Sequence, residues 1–79
     1  MKYIVYILRS TNKEISYIGI TNNLERRLKE HNRGKSVFTR KFKPWEIIYS
    51  EEVISLEEAR KRENYLKSAA GRRYIKNKI

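Results

Sequence analysis

The chain is short, strongly basic and free of cysteine. It has 79 residues, and 19 Lys+Arg against 9 acidic residues give a formal net charge of +10. The lack of cysteine excludes a disulfide framework and a thiolate metal site, and the longest apolar stretch, residues 4–8, is far too short to span a bilayer. The length predicts one domain over residues 1–79, and the start shows no signal-peptide pattern, so we expect a cytoplasmic protein. The excess positive charge favours an anionic partner, with nucleic acid ahead of an acidic membrane surface or an acidic protein.

Two strand-like runs open the chain. Residues 3–8 are β-branched, aromatic or aliphatic, which is typical of a strand with both faces covered. Residues 15–20 read as the returning strand of an antiparallel hairpin, after a polar turn. If this turn is centred between residues 11 and 12, Tyr6 and Tyr17 face each other across the ladder, about 5 Å apart. Either tyrosine could also be an ordinary strand aromatic.

A basic helix is predicted next. Asn22 or Asn23 can cap its start, and the helix is expected to run to about Asn32 and to stop at Gly34. One stripe of about 100° should face the sheet, and it consists of Leu24, Arg27, Leu28 and His31. The arginine of this stripe needs an anionic partner, because its charge is costly to leave unpaired. A substrate phosphate would serve, and so would a structural ion pair with a glutamate such as Glu63.

The predicted loop of residues 34–44 mixes cations with aromatic rings. Its members of these two kinds are Lys35, Phe38, Arg40, Lys41, Phe42 and Lys43. Cations suit phosphates and rings suit bases, so the mixture favours nucleic-acid binding, although the two phenylalanines could equally pack into the core. We take Lys35, Arg40 and Lys41 as candidate binding residues. Residues 45–50 then predict a third strand.

A second long helix follows. Ser55 with Glu58 three residues later is a capping-box signature, and the helix is expected to run to about Ala70 and to end at Gly71. Its inward stripe consists of Leu56, Ala59, Glu63, Leu66 and Ala70. A carboxylate on a buried face costs several kcal/mol unless it has a partner. A metal ion or an arginine across a pocket would provide that partner for Glu63.

The chain closes on a basic segment, residues 72–79, in which Arg72 and Arg73 are candidate nucleic-acid contacts. An alternative interpretation makes residues 55–70, Gly71 and this segment a helix-turn-helix. The second helix would then have only about eight residues, which is short for recognition in a DNA groove.

In this order, the runs Val5-Tyr6-Ile7 and Tyr17-Ile18-Gly19, the arginine and histidine of the basic helix, and the inward glutamate resemble the catalytic core of the GIY-YIG nucleases. Among these, the chain resembles the nuclease domain of the bacterial nucleotide-excision repair incision subunit.

The resemblance implies a role for each residue. It makes Tyr17 the general base and Tyr6 the residue that positions the water or supports that base. Arg27 and His31 take the positions of the family arginine and of a Tyr or His one turn later, and Glu63 takes that of the metal ligand. The family fold and these elements agree on an α/β (α+β) domain, a three-stranded antiparallel sheet flanked by helices.

This chain departs from the family pattern at three places. The first half-motif reads Val-Tyr-Ile instead of Gly-Ile-Tyr, and Ile20 stands where many members have a lysine. Ile75 stands nearest the spacing of a family asparagine, so that Asn77 is only a weak candidate.

The resemblance and the positive charge together predict an endonuclease that cuts DNA with Mg²⁺ or Mn²⁺ and no small-molecule cofactor. The alternative is a non-catalytic nucleic-acid-binding module on the same fold.

Overall fold

The computed structural model describes residues 2–34 and 37–78, without the side chains of residues 37, 38 and 78. Three strands form one antiparallel sheet: β1 (Tyr3–Ser10), β2 (Ser16–Thr21) and β3 (Trp45–Val53). Their order is β2-β1-β3, so the first strand lies in the centre. The predicted three-stranded antiparallel sheet with flanking helices is confirmed, and β3 runs three residues further than its sequence pattern indicated.

Helices cover both faces of this sheet. They are α1 (Leu24–Arg33), α2 (Val37–Arg40), α3 (Leu56–Lys67) and α4 (Ala69–Lys78). Within β1 the side chains alternate: Val5 and Ile7 pack with apolar residues of α3 and α4, whereas Tyr6 and Leu8 pack with Trp45 and with apolar residues of α1. The central strand is thus covered on two sides, which explains its unbroken apolar sequence. None of the described helices is both long and apolar enough to cross a membrane.

The register of the hairpin differs from the prediction. Tyr6 is opposite Gly19, and Tyr17 is opposite Leu8, because the turn is centred between residues 12 and 13. Ser10 organises this longer turn: its Oγ accepts hydrogen bonds from the backbone N–H groups of residues 12 and 13, at 3.2 Å each. The predicted direct pairing of the two tyrosines is therefore wrong. Since side chains alternate with a period of two, the shift keeps both tyrosines on one face, with ring centroids 6.3 Å apart.

The ends of α1 confirm the predicted helix. Asn23 is extended, with φ −150° and ψ 94°, and its side chain accepts a hydrogen bond from the Arg26 N–H. At the other end Gly34 adopts a left-handed conformation, with φ 84°. The predicted loop after Gly34 contains one short helix, α2, which begins at Val37.

Gly71 does not end a helix, contrary to the prediction. The α3 helix ends at Lys67 with Ser68 as its cap, and α4 has already begun at Ala69. A Cβ on Gly71 would lie 2.0 Å from the backbone oxygen of Tyr65, so glycine is needed here for close helix packing. The turn that the helix-turn-helix interpretation placed at Gly71 is thus absent, and α4 packs Ile75 into the core.

Candidate active site

Tyr6 is the centre of a polar cluster on the α1 face of the sheet. Its side chain is only 1% exposed, although it carries a hydroxyl. The phenol ring lies against Gly19 of the neighbouring strand, where a Cβ would come within 2.5 Å of the tyrosine oxygen and 2.7 Å of its Cζ. The glycine of the Tyr-Ile-Gly run therefore makes room for the buried tyrosine.

The Tyr6 hydroxyl joins two residues of α1. Arg27 Nε donates a hydrogen bond to it at 3.3 Å, and His31 Nε2 lies 3.1 Å away. Because a guanidinium N–H can only donate, the Tyr6 oxygen accepts from Arg27, and its own hydrogen is available for an unprotonated Nε2. The helical spacing of four residues places Arg27 and His31 on one face, one above the other.

The other ring nitrogen of His31 faces a residue that the sequence did not single out. His31 Nδ1 lies 2.8 Å from Thr39 Oγ1, and both side chains are completely buried. The carbonyl of Thr39 accepts a hydrogen bond of 2.7 Å from the Trp45 indole N–H. A threonine in a basic loop gives no periodic signal, whereas a lone tryptophan at a strand start does predict a nearby acceptor for its N–H.

Burial keeps the centre of the cluster uncharged. Burial raises the pKa of Tyr6, with a further increase from Tyr17, and the hydrogen bond and positive charge of Arg27 oppose it. Burial also lowers the pKa of His31, as does the charge of Arg27, against a smaller opposing effect of Glu30. A neutral phenol and a neutral imidazole are well suited to orient other groups, and the Tyr6 phenol is poorly suited to accept a proton.

Tyr17 and Arg27 are the more accessible members of the cluster. Tyr17 is half-buried, and its ring meets the His31 ring edge-on at a centroid distance of 4.9 Å. The Arg27 side chain is 34% exposed, and its Nη1 pairs with Glu30 Oε1 at 3.3 Å. Burial lowers the pKa of Arg27, but hydrogen bonds with Tyr6, Glu30 and Tyr17 outweigh it and leave that pKa raised. Arg27 is therefore a permanent cation beside a reachable tyrosine.

Glu63 lies on the helix that covers the opposite face. The α3 helix packs Ala59 and Leu66 against the Val5 and Ile7 side of β1. The Glu63 side chain is 23% exposed, and its Oε2 pairs with Lys67 Nζ at 3.6 Å. The structure thus gathers Tyr6, Tyr17, Arg27 and His31 on one face, whereas Glu63 belongs to a helix that packs on the other face.

The chemistry of Glu63 limits the kind of metal site that it can form. Among residues 2–34 and 37–78, no group of three or more His, Cys, Asp or Glu side chains is close enough to hold an ion. A cation at Glu63 would therefore have one protein carboxylate and would take its other ligands from water and phosphate. Mg²⁺ commonly binds in this way, so the residue fits that ion.

A basic groove lies beside Tyr17, on the face of the sheet that α3 and α4 cover. It has a volume of about 1260 Å³ and an apolar floor that includes Ile7, Ile18 and Leu66. Its basic residues are Arg9, Lys67, Arg72 and Lys76. Tyr17 also lines the groove, and Lys67 is the partner of Glu63. The groove therefore reaches from the edge strand β2 to the helix that carries the carboxylate.

The other candidate binding residues are divided between two places. Arg40 and Lys41 are exposed at the end of α2, beside the cluster, whereas Arg72 and Arg73 are exposed on α4. Lys35 lies outside the described residues. Asn77 is exposed near the end of α4, and Ile20, which replaces the family lysine, packs against the core.

Comparisons with known proteins agree with this fold. UPF0213 protein OB0043 of Oceanobacillus iheyensis is 40% identical over 67 residues, which cover 84% of this chain and 77% of that protein. The solution NMR structure of UPF0213 protein BH0048 from Bacillus halodurans superimposes with a TM-score of 0.58 at 30% identity, covering 98% of this chain and 84% of that chain.

A third similarity is to a protein whose name states an activity. The structure-specific endonuclease subunit SLX1 of Chaetomium globosum is 50% identical over 52 residues, which are 58% of this chain and 16% of that protein. These comparisons do not show the further resemblance to the nucleotide-excision repair subunit, which stays a prediction. The profile of the GIY-YIG catalytic domain matches residues 2–77, and the chain belongs to the GIY-YIG family.

Proposed function

We propose that this protein is a metal-dependent endonuclease that hydrolyses DNA phosphodiester bonds with Tyr17 as general base. One observation carries the proposal: the half-buried Tyr17 lies beside the partly exposed Arg27. The buried side chains of Tyr6 and His31 pack next to them and have hydrogen-bond partners. Family membership and the similarity to an endonuclease subunit support the same chemistry. The net charge of +10 supports a polyanionic substrate.

Each residue of the cluster has a distinct task. Arg27 binds the phosphate through the part of its planar guanidinium that faces solvent. Tyr17 takes the proton of the attacking water. Tyr6 and His31 are too deeply buried to reach the substrate, so they orient Arg27 and Tyr17.

Glu63 would hold the metal ion, with water and a phosphate oxygen as further ligands. When bound, a divalent cation supplies positive charge beside the leaving oxygen. The basic groove is the route by which a bound strand can come close to both Tyr17 and the Glu63–Lys67 pair. Arg9, Arg72 and Lys76 would then contact successive phosphates.

A non-catalytic nucleic-acid-binding module remains the second candidate. The packing of the Glu63 helix on the face opposite the tyrosines favours it, because a protein that only binds does not need these residues on one face. The two candidates share the basic groove and therefore predict the same salt-dependent binding. They differ in metal-dependent cleavage.

The test uses a nicking assay on DNA with Mg²⁺, with Mn²⁺ and with EDTA, for the parent and for Glu63→Gln. We expect cleavage only with metal, and a fall of about two orders of magnitude or more in Glu63→Gln, since metal charge stabilisation is worth several kcal/mol. DNA affinity should stay equal or increase, because one negative charge is removed.

Glu57→Gln is the matched control, because Glu57 is an exposed residue of the same helix and, within residues 2–34 and 37–78, pairs with Lys61 alone. It should cut at the parent rate. A Glu63→Gln protein that also cuts at the parent rate would exclude this residue as the essential ligand. A parent that binds DNA and does not cut under any metal condition would favour the binding module.

A further inference from the structure

Thr39 is a completely buried polar residue beside the cluster. It belongs to the short helix α2, and its hydroxyl faces His31 Nδ1 at 2.8 Å. Arg40 follows it and is exposed, so α2 presents one residue inwards and the next to solvent. A buried threonine hydroxyl that meets a histidine ring is a specific contact, since many apolar residues would fill the same volume.

The backbone around Thr39 is held from a second direction. The Trp45 indole N–H donates to the Thr39 carbonyl at 2.7 Å. Trp45 is itself anchored to α1, because Asn32 accepts from its backbone N–H at 2.6 Å and donates to its carbonyl at 3.3 Å. Helix α1 and strand β3 therefore fix the place of Thr39 relative to His31.

The hydrogen bonds of the cluster allow one continuous direction. Arg27 donates to the Tyr6 oxygen, and the Tyr6 hydrogen can then point to an unprotonated His31 Nε2. In that arrangement the proton of a neutral imidazole is on Nδ1, from which it is donated to Thr39 Oγ1. A hydroxyl oxygen accepts this proton readily, whereas a methyl group in its place would leave a buried N–H without a partner.

We propose that Thr39 is a positioning residue that fixes His31 in its Nδ1–H tautomer and, through His31 and Tyr6, orients the guanidinium of Arg27. The consequence for cleavage rests on the proposed nuclease function. The consequence for the tautomer does not, and it can be measured without any substrate. Within the described part of the chain, four titratable groups surround His31. Tyr6 meets a ring nitrogen and Tyr17 meets the ring edge-on. The charges of Arg27 and Glu30 act on the His31 pKa in opposite directions.

The experiment compares the parent with Thr39→Val and Thr39→Ser. Valine keeps the shape and removes the hydroxyl, and serine keeps the hydroxyl. His31 is the only histidine of the chain, so the ¹⁵N spectrum of the imidazole reports its tautomer without ambiguity. Thr21→Val is the matched control, because Thr21 is also buried and its hydroxyl bonds to the backbone N–H and C=O of Asn23 instead of to His31.

We expect the Nδ1–H form in the parent, in Thr39→Ser and in Thr21→Val, and a mixture of tautomers in Thr39→Val. The turnover number of Thr39→Val should fall by about tenfold to a hundredfold, because a small misplacement of a phosphate-binding group costs that much. Its DNA affinity should change little, since the proposed phosphate contacts of Arg9, Arg72 and Lys76 lie in the groove and not at Thr39. Thr39→Ser should restore both the tautomer and most of the rate.

The proposal is overturned if the parent shows the Nε2–H form, or if Thr39→Val keeps the parent tautomer and rate. Equal loss of rate in Thr39→Val and Thr39→Ser would also overturn it, because packing and not the hydroxyl would then be responsible. If the parent does not cut DNA at all, the proposed nuclease function fails, and the tautomers of the three variants still decide the role of Thr39.

Discussion

Each face of the sheet carries a cluster of tyrosine and arginine side chains, and the arginine has different partners in the two clusters. On the α1 face, Arg27 donates through Nε to the uncharged Tyr6 hydroxyl and pairs with Glu30 through Nη1. On the α3 face, the Nε of Arg62 bonds directly to the carboxylate of Glu51.

The α3-face cluster gives its arginine a carboxylate and two aromatic rings as partners. Tyr49 donates to the second oxygen of Glu51 at 2.6 Å, and the Arg62 guanidinium lies 4.8 Å and 5.0 Å from the ring centroids of Tyr65 and Tyr74. Burial and the hydrogen bond to Glu51 raise the pKa of Tyr49. A carboxylate and two aromatic rings satisfy this arginine, so the cluster stabilises the fold.

The comparison shows that residue types alone do not indicate a catalytic site. Both clusters combine tyrosine, arginine and glutamate, and both are partly buried. Only the α1-face cluster places a neutral phenol at the arginine Nε and a second, half-exposed tyrosine beside it. The Arg27 Nε thus bonds to a neutral phenol where the Arg62 Nε bonds to a carboxylate, which leaves more of the Arg27 charge to attract a phosphate.

The largest difference between the clusters should appear when each loses a tyrosine hydroxyl. Tyr17→Phe should lower the cleavage rate by about 10²–10⁴-fold, the usual contribution of a general base, and it should lower the melting temperature no more than Tyr49→Phe does, because it also loses one hydrogen bond, to Arg27. Tyr49→Phe should cut at the parent rate and melt several degrees lower, since a hydrogen bond of about 1 kcal/mol shifts Tm by about 4–8 °C in a domain of this size. Nicking rates and thermal melts of both variants measure this. Parent-level cleavage by Tyr17→Phe would show that another group takes the proton.

A smaller difference is expected from the two glycines that allow close packing. Gly19→Ala would place a methyl group against the Tyr6 phenol and should reduce cleavage by about tenfold to a hundredfold, because the phenol must move away from Arg27 and His31. Gly71→Ala would collide with the Tyr65 backbone and should destabilise the protein by about 1–3 kcal/mol with little change in rate below its melting transition. Rates measured at a temperature at which both variants are folded separate the two effects. Equal rate losses would mean that the clusters are coupled through the sheet.

The smallest effect should be the pH dependence of stability that His31 contributes. The pKa of His31 is lowered in the folded protein, first by burial and then by Arg27, so the unfolded chain binds a proton more readily. Its contribution to stability should be fully present above the unfolded pKa of about 6.5 and should be lost as the pH falls below that value. Thermal melts between pH 5 and pH 8 and an NMR titration of the only histidine test this. A His31 pKa at or above its ordinary value would contradict the buried, neutral imidazole.

Local sequence determined much of the α1 side of the molecule. Caps such as Asn23 and Gly34 act within one turn of a helix, and the helical period placed Arg27 and His31 on one stripe. The period of two in the strands kept Tyr6 and Tyr17 on one face even though the predicted register was wrong. These features depend on residues that are a few positions apart, so the sequence displays them directly.

The tertiary structure decided what depends on distant residues. The helical pattern put Glu63 on an inward stripe, but only packing determined that this stripe covers the Val5 and Ile7 side of the sheet. Gly71 has the residue type of a helix end, and its real neighbour is the Tyr65 backbone of the preceding helix. Thr39 meets His31 because α1, α2 and β3 pack together. Contacts of this kind follow from how the faces of whole elements are buried against each other, which no short stretch of sequence specifies.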